Sequence, residues 1–181
     1  MTSDELYQLQ YPIGKFDCPN YIGAEQIENW ISILEQFPNR LEDLVKRLND
    51  EQLKTVYRPN GWTVRQVVHH LSDSHHHSYT RFKWALTEDK PIIKAYYEDR
   101  WAELEDSKKA PIALSIQHLK TIHSKLVYLL KGLSQADLNK AFIHPKSNKE
   151  VALKENIGIY AWHCNHHYAH IENVLKQKHW L

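Results

Sequence analysis

IENWISILEQFPNRLEDLVKRL, residues 27–48, decides the fold class. Ile27, Trp30, Leu34, Phe37, Leu41, Leu44 and Leu48 recur at spacings of three and four. Such spacing lines up one apolar face of a helix, because the chain turns through about 100° per residue. Pro38 interrupts the run. Proline has no N–H to give the preceding turn and its ring crowds the carbonyl four residues back, so a bend is predicted there.

The same pattern repeats downstream. Pro59-Asn60-Gly61 is a turn signal, and Thr63 is a plausible N-cap for a second helix carrying Val64, Val67, Val68 and Leu71 toward Trp84 and Leu86. Pro111 suits the first turn of a third, striped by Ile116, Leu119, Ile122, Leu126, Leu129, Leu130 and Leu133. Ser134 begins a short helical piece, and Pro145-Lys146-Ser147-Asn148 reads as a turn. A fourth long helix follows from about Leu153. Residues 1–23 carry Pro12, Gly14, Pro19 and Gly23 and read as an irregular arm packed on the domain. Four amphipathic helices and no convincing run of strands predict an all-α four-helix bundle over residues 1–181, one domain without internal repeats. Residues 88–111 form a long, charged crossover between the second and third helices, which lets those two lie parallel or apart. Loops longer than about 12–15 residues are uncommon unless they do something, so Tyr96, Tyr97 and Trp101 make this one a candidate cover for a site.

Composition excludes several classes. With 42% hydrophobic and 25% charged residues the chain is ordinary for a globular protein. Its net charge of +1, with no basic cluster, gives no reason to expect nucleic acid or an acidic membrane as partner. No run approaches the roughly 18 apolar residues of a membrane span, and residues 1–10 do not resemble a signal peptide. Cys18 and Cys164 read as two unpaired thiols in a reducing cytoplasm, Cys164 as a small packing residue.

Histidine is abundant, at 13 residues. In the fourth helix, Trp162-His163-Cys164-Asn165-His166-His167-Tyr168-Ala169-His170 places His163 and His167 one turn apart, roughly 40° from each other around the axis. An i, i+4 histidine pair on one face can clasp a zinc ion. A third ligand must come from another helix. His70 lies three residues beyond Val67, with His77 on the same face and His69 about 100° away, and His123 sits on the apolar stripe of the third helix. Several inward imidazoles need partners, and one metal ion meets that need for three rings together. Bundle cores commonly hold metal sites built this way. His75, His76, His118, His144 and His179 are expected to be solvated, so that removing His75 leaves metal binding intact. Asp73, one turn past His70, is a candidate to orient a ring through an outer hydrogen bond.

Two segments resemble the DinB-like superfamily. Trp62-Thr63-Val64-Arg65-Gln66-Val67-Val68-His69-His70-Leu71-Ser72-Asp73 is similar to its W-[ST]-x-x-[EQ]-x-x-x-H-[LI]-x-[DE] segment, and His163 to Ile171 to its H-x-x-[HY]-H-x-x-[QH]-[IL] signature. Tyr11-Pro12-Ile13-Gly14 and Tyr160-Ala161-Trp162-His163 fit the YfiT-like branch of metal-dependent hydrolases. The resemblance covers nearly the whole chain. It implies a four-helix bundle with a long crossover, a homodimer, and one divalent metal ion on His70, His163 and His167, with His170 where many members carry Gln.

Three protein ligands leave zinc an open position, where water ionises near neutral pH. Hydrolysis of a small electrophilic molecule by a metal-bound water is the leading expectation. Thiol transfer from a low-molecular-weight thiol of the bacillithiol type is the second, with Arg65 or Arg81 attracting an acidic thiol. A non-catalytic metal-binding protein is the third. His123, His170, Asp73 and Arg81 are the candidate outer or substrate-facing residues. HExxH, nucleophile-elbow and phosphate-loop motifs are absent, and no general base stands out. Zinc suits three imidazoles and one open position, and nickel, iron or manganese also fit such a site.

Overall fold

The computed structural model describes residues 2–181. Four long helices make the bundle: α2 (Ala24–Val45), α4 (Val64–Thr87), α7 (Ile112–Lys131) and α9 (Leu153–Gln177). Shorter pieces join them: α1 (Ser3–Gln10), α3 (Asp50–Leu53), α5 (Glu98–Trp101), α6 (Glu105–Lys109), α8 (Gln135–Leu138), and a hairpin of β1 (Ala141–His144) with β2 (Lys149–Ala152). The stripe read from residues 27–48 is the buried face of α2, where Leu34, Phe37 and Leu41 are fully enclosed. They meet Leu71 and Phe82 of α4, Leu119 and Leu126 of α7, and Leu153, Ile157 and Ile171 of α9 in one core.

α2 and α4 each pack on both α7 and α9, and so face one another across the diagonal. Side-chain pairs give the directions. Along α4 and α7, His69 meets Ser115, Ser72 meets His118 and His75 meets His123, so the two helices run parallel. Between α4 and α9, His70 meets His163 while Ser78 meets Asn156, which is antiparallel. The crossover expected over residues 88–111 therefore joins parallel helices that are direct neighbours and must return the chain along the bundle. It is pinned on the way. Gln66 Nε2 donates to the Ala102 carbonyl at 2.8 Å, Arg65 Nη1 to the Ala110 carbonyl at 2.7 Å, and Tyr96 and Trp101 close over His77.

Two expectations are corrected. Residues 1–23 are not wholly irregular, because Ser3–Gln10 is helical. Thr2 and Glu5 form a reciprocal capping box that starts α1. This helix buries no residue, so it leaves no apolar stripe to read. The chain also contains strands. Ala141–His144 pairs antiparallel with Lys149–Ala152, Phe142 opposite Val151, and Asn148 turns the corner at φ 50°. Four-residue strands are too short for alternation to stand out. Pro38 does not end α2, which continues to Val45.

Candidate metal centre

α4 begins where Thr63 accepts from the Gln66 amide and Gln66 Oε1 accepts from the Thr63 amide, a capping box that fixes the helix phase. That phase turns His70 toward α9. There His163 and His167 stand one turn apart, and the three ring centroids lie 4.5–5.3 Å from each other. One ligand nitrogen from each ring falls within 4.8 Å of the others, so the three could hold a common metal ion. His70 Nε2 and His163 Nε2 are 3.2 Å apart. Two nitrogens about 2.05 Å from a tetrahedral zinc lie about 3.3 Å from one another, so this pair already has the spacing of a shared ion. All three donors are neutral imidazole, the form that binds metal. Burial pushes His70 down to about 3 and drives His163 and His167 well below the ordinary imidazole value, each further lowered by its histidine neighbours.

The rings open on a cleft of about 380 Å³. Trp62 covers His70 with ring centroids 4.6 Å apart, Tyr57 stacks on His170 at 4.0 Å, and Arg58 and Tyr11 complete one wall. Glu98 and Asp99, from the crossover, supply the carboxylates of the lining. Sequence reading missed these two. A carboxylate in a single isolated helical turn gives no periodic signal, and only the return path of the crossover brings it to the cleft.

The structure sorts the remaining candidates. His123 lies behind the three rings, whereas His170 stands beside them in the lining of the cleft. His123 Nε2 is 2.9 Å from His75 Nδ1, and His170 Nδ1 is 3.3 Å from His167 Nδ1. His75 is not solvated: it is fully buried, and its Nε2 lies 3.1 Å from His163 Nδ1. It follows Val68 and precedes Phe82 by seven residues each, so the apolar stripe of α4 carried the signal. His76, His118 and His179 are exposed as expected, and His144 is half-buried. Asp73 lies by Asp106 of the crossover, not against His70, and burial together with that neighbour raises it to about 6. Arg65 is buried, ion-paired with Asp50, and away from the cleft. Arg81 also misses the lining, its Nη1 donating to the Tyr160 hydroxyl at 3.3 Å. Cys164 is fully buried, and burial pushes its thiol well up, as suits a packing residue.

Comparison with known proteins places the chain. Residues 33–171 match the DinB superfamily, and the chain belongs to it. A protein of Bacillus cereus strain 03BB102 is 49% identical over 175 residues, covering 97% of this chain and all of its own length. One from Bacillus mycoides strain KBAB4 matches to the same extent, and both carry the name "Putative metal-dependent hydrolase". Among solved structures, YfiT from Bacillus subtilis superposes with a TM-score of 0.94 at 42% identity, covering 96% of this chain and 99% of that one. It is described as "a probable metal-dependent hydrolase with an unusual four-helix bundle topology".

Proposed function

We propose that this chain is a metal-dependent hydrolase of small electrophilic molecules, with His70, His163 and His167 holding one divalent ion, zinc by preference. The observation that carries the reading is the convergence of three neutral imidazoles from two helices on the floor of an open cleft. When bound, the ion supplies a Lewis acid and lowers the pKa of a water in its open position. The chain's own residues do the rest. Trp62 and Tyr57 wall the cleft with apolar surface, fixing a small substrate and excluding bulk water. Glu98 and Asp99 are the carboxylates that face the cleft and can take a proton from the attacking water. Arg58 offers a positive charge to an anionic leaving group or substrate. The names of the relatives support hydrolysis as the reaction class.

Arg58 also favours a second reading. An acidic low-molecular-weight thiol could bind beside it and attack the electrophile in place of water. The thiol would have to come from outside, because Cys164 is buried behind the rings. One assay separates the two. Zinc-loaded protein is given an epoxide or activated ester with and without a low-molecular-weight thiol. Turnover in water alone is expected, and product only in the presence of thiol would replace hydrolysis by thiol transfer. No turnover in either arm, with unfolding on chelation, would leave the non-catalytic reading.

Among the described residues no helix is long and apolar enough to cross a membrane. Both cysteines are free thiols, which supports a reducing, cytoplasmic setting. The homodimer implied by the family resemblance is open to direct measurement by light scattering.

A further inference from the structure

We propose that Pro38, His123 and His75 are positioning residues that fix the tautomer of His163 through a chain of hydrogen bonds anchored on the Leu34 carbonyl. The chain's geometry stands without a metal ion; its consequence for metal affinity rests on the three-histidine reading above.

The first link is a property of proline. Inside α2, Pro38 has no N–H to give the carbonyl four residues back, which belongs to Leu34, and its ring tilts that carbonyl away from the helix axis. Leu34 is fully buried, so this oxygen needs a partner from elsewhere in the protein. It has one: His123 Nδ1 lies 2.6 Å away, across the antiparallel interface with α7.

The rest follows from counting donors. A carbonyl only accepts, so His123 Nδ1 carries the hydrogen. A neutral imidazole has one donor and one acceptor, so His123 Nε2 is bare and accepts from His75 Nδ1–H at 2.9 Å. His75 Nε2 is then bare in turn and accepts from His163 Nδ1–H at 3.1 Å. His163 Nε2 is left with its lone pair, and this is the atom 3.2 Å from His70 Nε2. Burial keeps the outer rings neutral, His123 at about 4 and His75 well below the ordinary value.

The second ligand of α9 is fixed by the same logic. The Gln10 carbonyl accepts from His170 Nε2–H at 3.1 Å, so His170 Nδ1 accepts from His167 Nδ1–H at 3.3 Å and leaves His167 Nε2 bare. The same bonds occupy His75 and His123 of a second close group, shared with Cys164, and His167 and His170 of a third, in which His166 Nδ1 is buried without a hydrogen-bond partner. The bare nitrogens of His75, His123 and His170 are already taken by hydrogen bonds, so the chain through His75 and His123 requires no ion there.

The test is long-range proton–nitrogen correlation on the metal-free, 15N-labelled protein, which reads each ring's tautomer directly. His123, His75 and His163 are expected as Nδ1–H and His170 as Nε2–H. An Nε2–H tautomer at His163 or at His123 would overturn the proposal, and because this measurement needs only the wild-type chain it decides even where a variant does not fold. Zinc affinity, by competition with a chromogenic chelator, tests the consequence. His123→Leu is expected to weaken binding about 10- to 100-fold, the usual effect of removing a partner behind a ligand. His123→Gln should restore most of it, since an amide can donate to Leu34 and accept from His75. Pro38→Ala returns an N–H to the Leu34 carbonyl. It should mix the tautomers of His123 and His75 and weaken zinc roughly tenfold without lowering thermal stability. Wild-type affinity in folded Pro38→Ala and His123→Leu would refute the positioning role. If zinc fails to bind while the tautomers are as assigned, the three-histidine reading falls and the hydrogen-bond chain stands.

Discussion

Two adjacent histidines on α4 do different work. His69 Nδ1 meets the Ser115 hydroxyl at 2.7 Å and its Nε2 faces the Ala110 carbonyl at 3.2 Å, tying the helix to the end of the crossover. His70, one position on, faces the cleft. The division follows from the helical step, since neighbours point about 100° apart. His69→Ala should therefore cost about 1–3 kcal/mol in urea unfolding, through the partners it leaves unmet, and retain bound metal. His70→Ala, His163→Ala and His167→Ala should each reduce metal content, measured by mass spectrometry, to roughly a tenth or less. Equal metal retention in all four variants would contradict the assignment. Both the placement of His70 toward α9 and its distinction from His69 were legible from the Val67 register and the family segment. The burial of His75 could also have been read from its heptad spacing to Val68 and Phe82. Its contact with His163 could not, because it depends on how far α9 is rotated.

The helices owe their placement to a few contacts at their ends and crossings. Thr63→Ala removes the side-chain half of the capping box and should cost about 1 kcal/mol by thermal or denaturant unfolding. α9 approaches α2 closely at Gly158, where an added Cβ would lie 2.7 Å from the Trp30 ring. A rigid indole in a packed core cannot move aside freely, so Gly158→Ala should cost about 1–3 kcal/mol and lower the melting temperature. Full stability in that variant would mean that the helices are less tightly apposed. The long helices were readable because each buries a stripe that repeats over several turns. α1 was not, since it buries nothing, and the hairpin was not, since each strand is only four residues long. The capping signals at Thr2 and Thr63 are equally plain in the sequence, but only the second precedes an apolar run.

At the scale of the whole molecule, the concentration of histidine in one core makes the metal-free fold sensitive to acid. Burial holds His70 and His170 at about 3, His123 at about 4, and His75, His163 and His167 well below the ordinary value. In the unfolded chain such rings take up protons near 6.5. Below that pH, and until the folded rings themselves protonate near 3–4, the unfolded chain binds more protons and stability falls as pH falls. Asp73, raised to about 6, acts in the opposite sense because its folded form holds a proton more readily, but it is one group against six. The urea midpoint of the metal-free protein should therefore drop steadily from pH 7 to 4.5, and a flat or rising midpoint would refute this. Zinc should oppose the loss at neutral pH, since a ligand at about a thousand times its dissociation constant adds about 4 kcal/mol to the fold.

The sequence by itself determined the four helices, the inward faces of His70, His163 and His167, and the length of the crossover, because each of these is set by local periodicity and by the chemistry of short motifs. Only the tertiary structure decided that α4 and α7 run parallel as neighbours, that Glu98 and Asp99 reach the cleft, and that a proline in α2 connects through two histidines to a ring of α9. Those facts depend on the relative rotation and direction of helices far apart in the chain, and no local pattern encodes them.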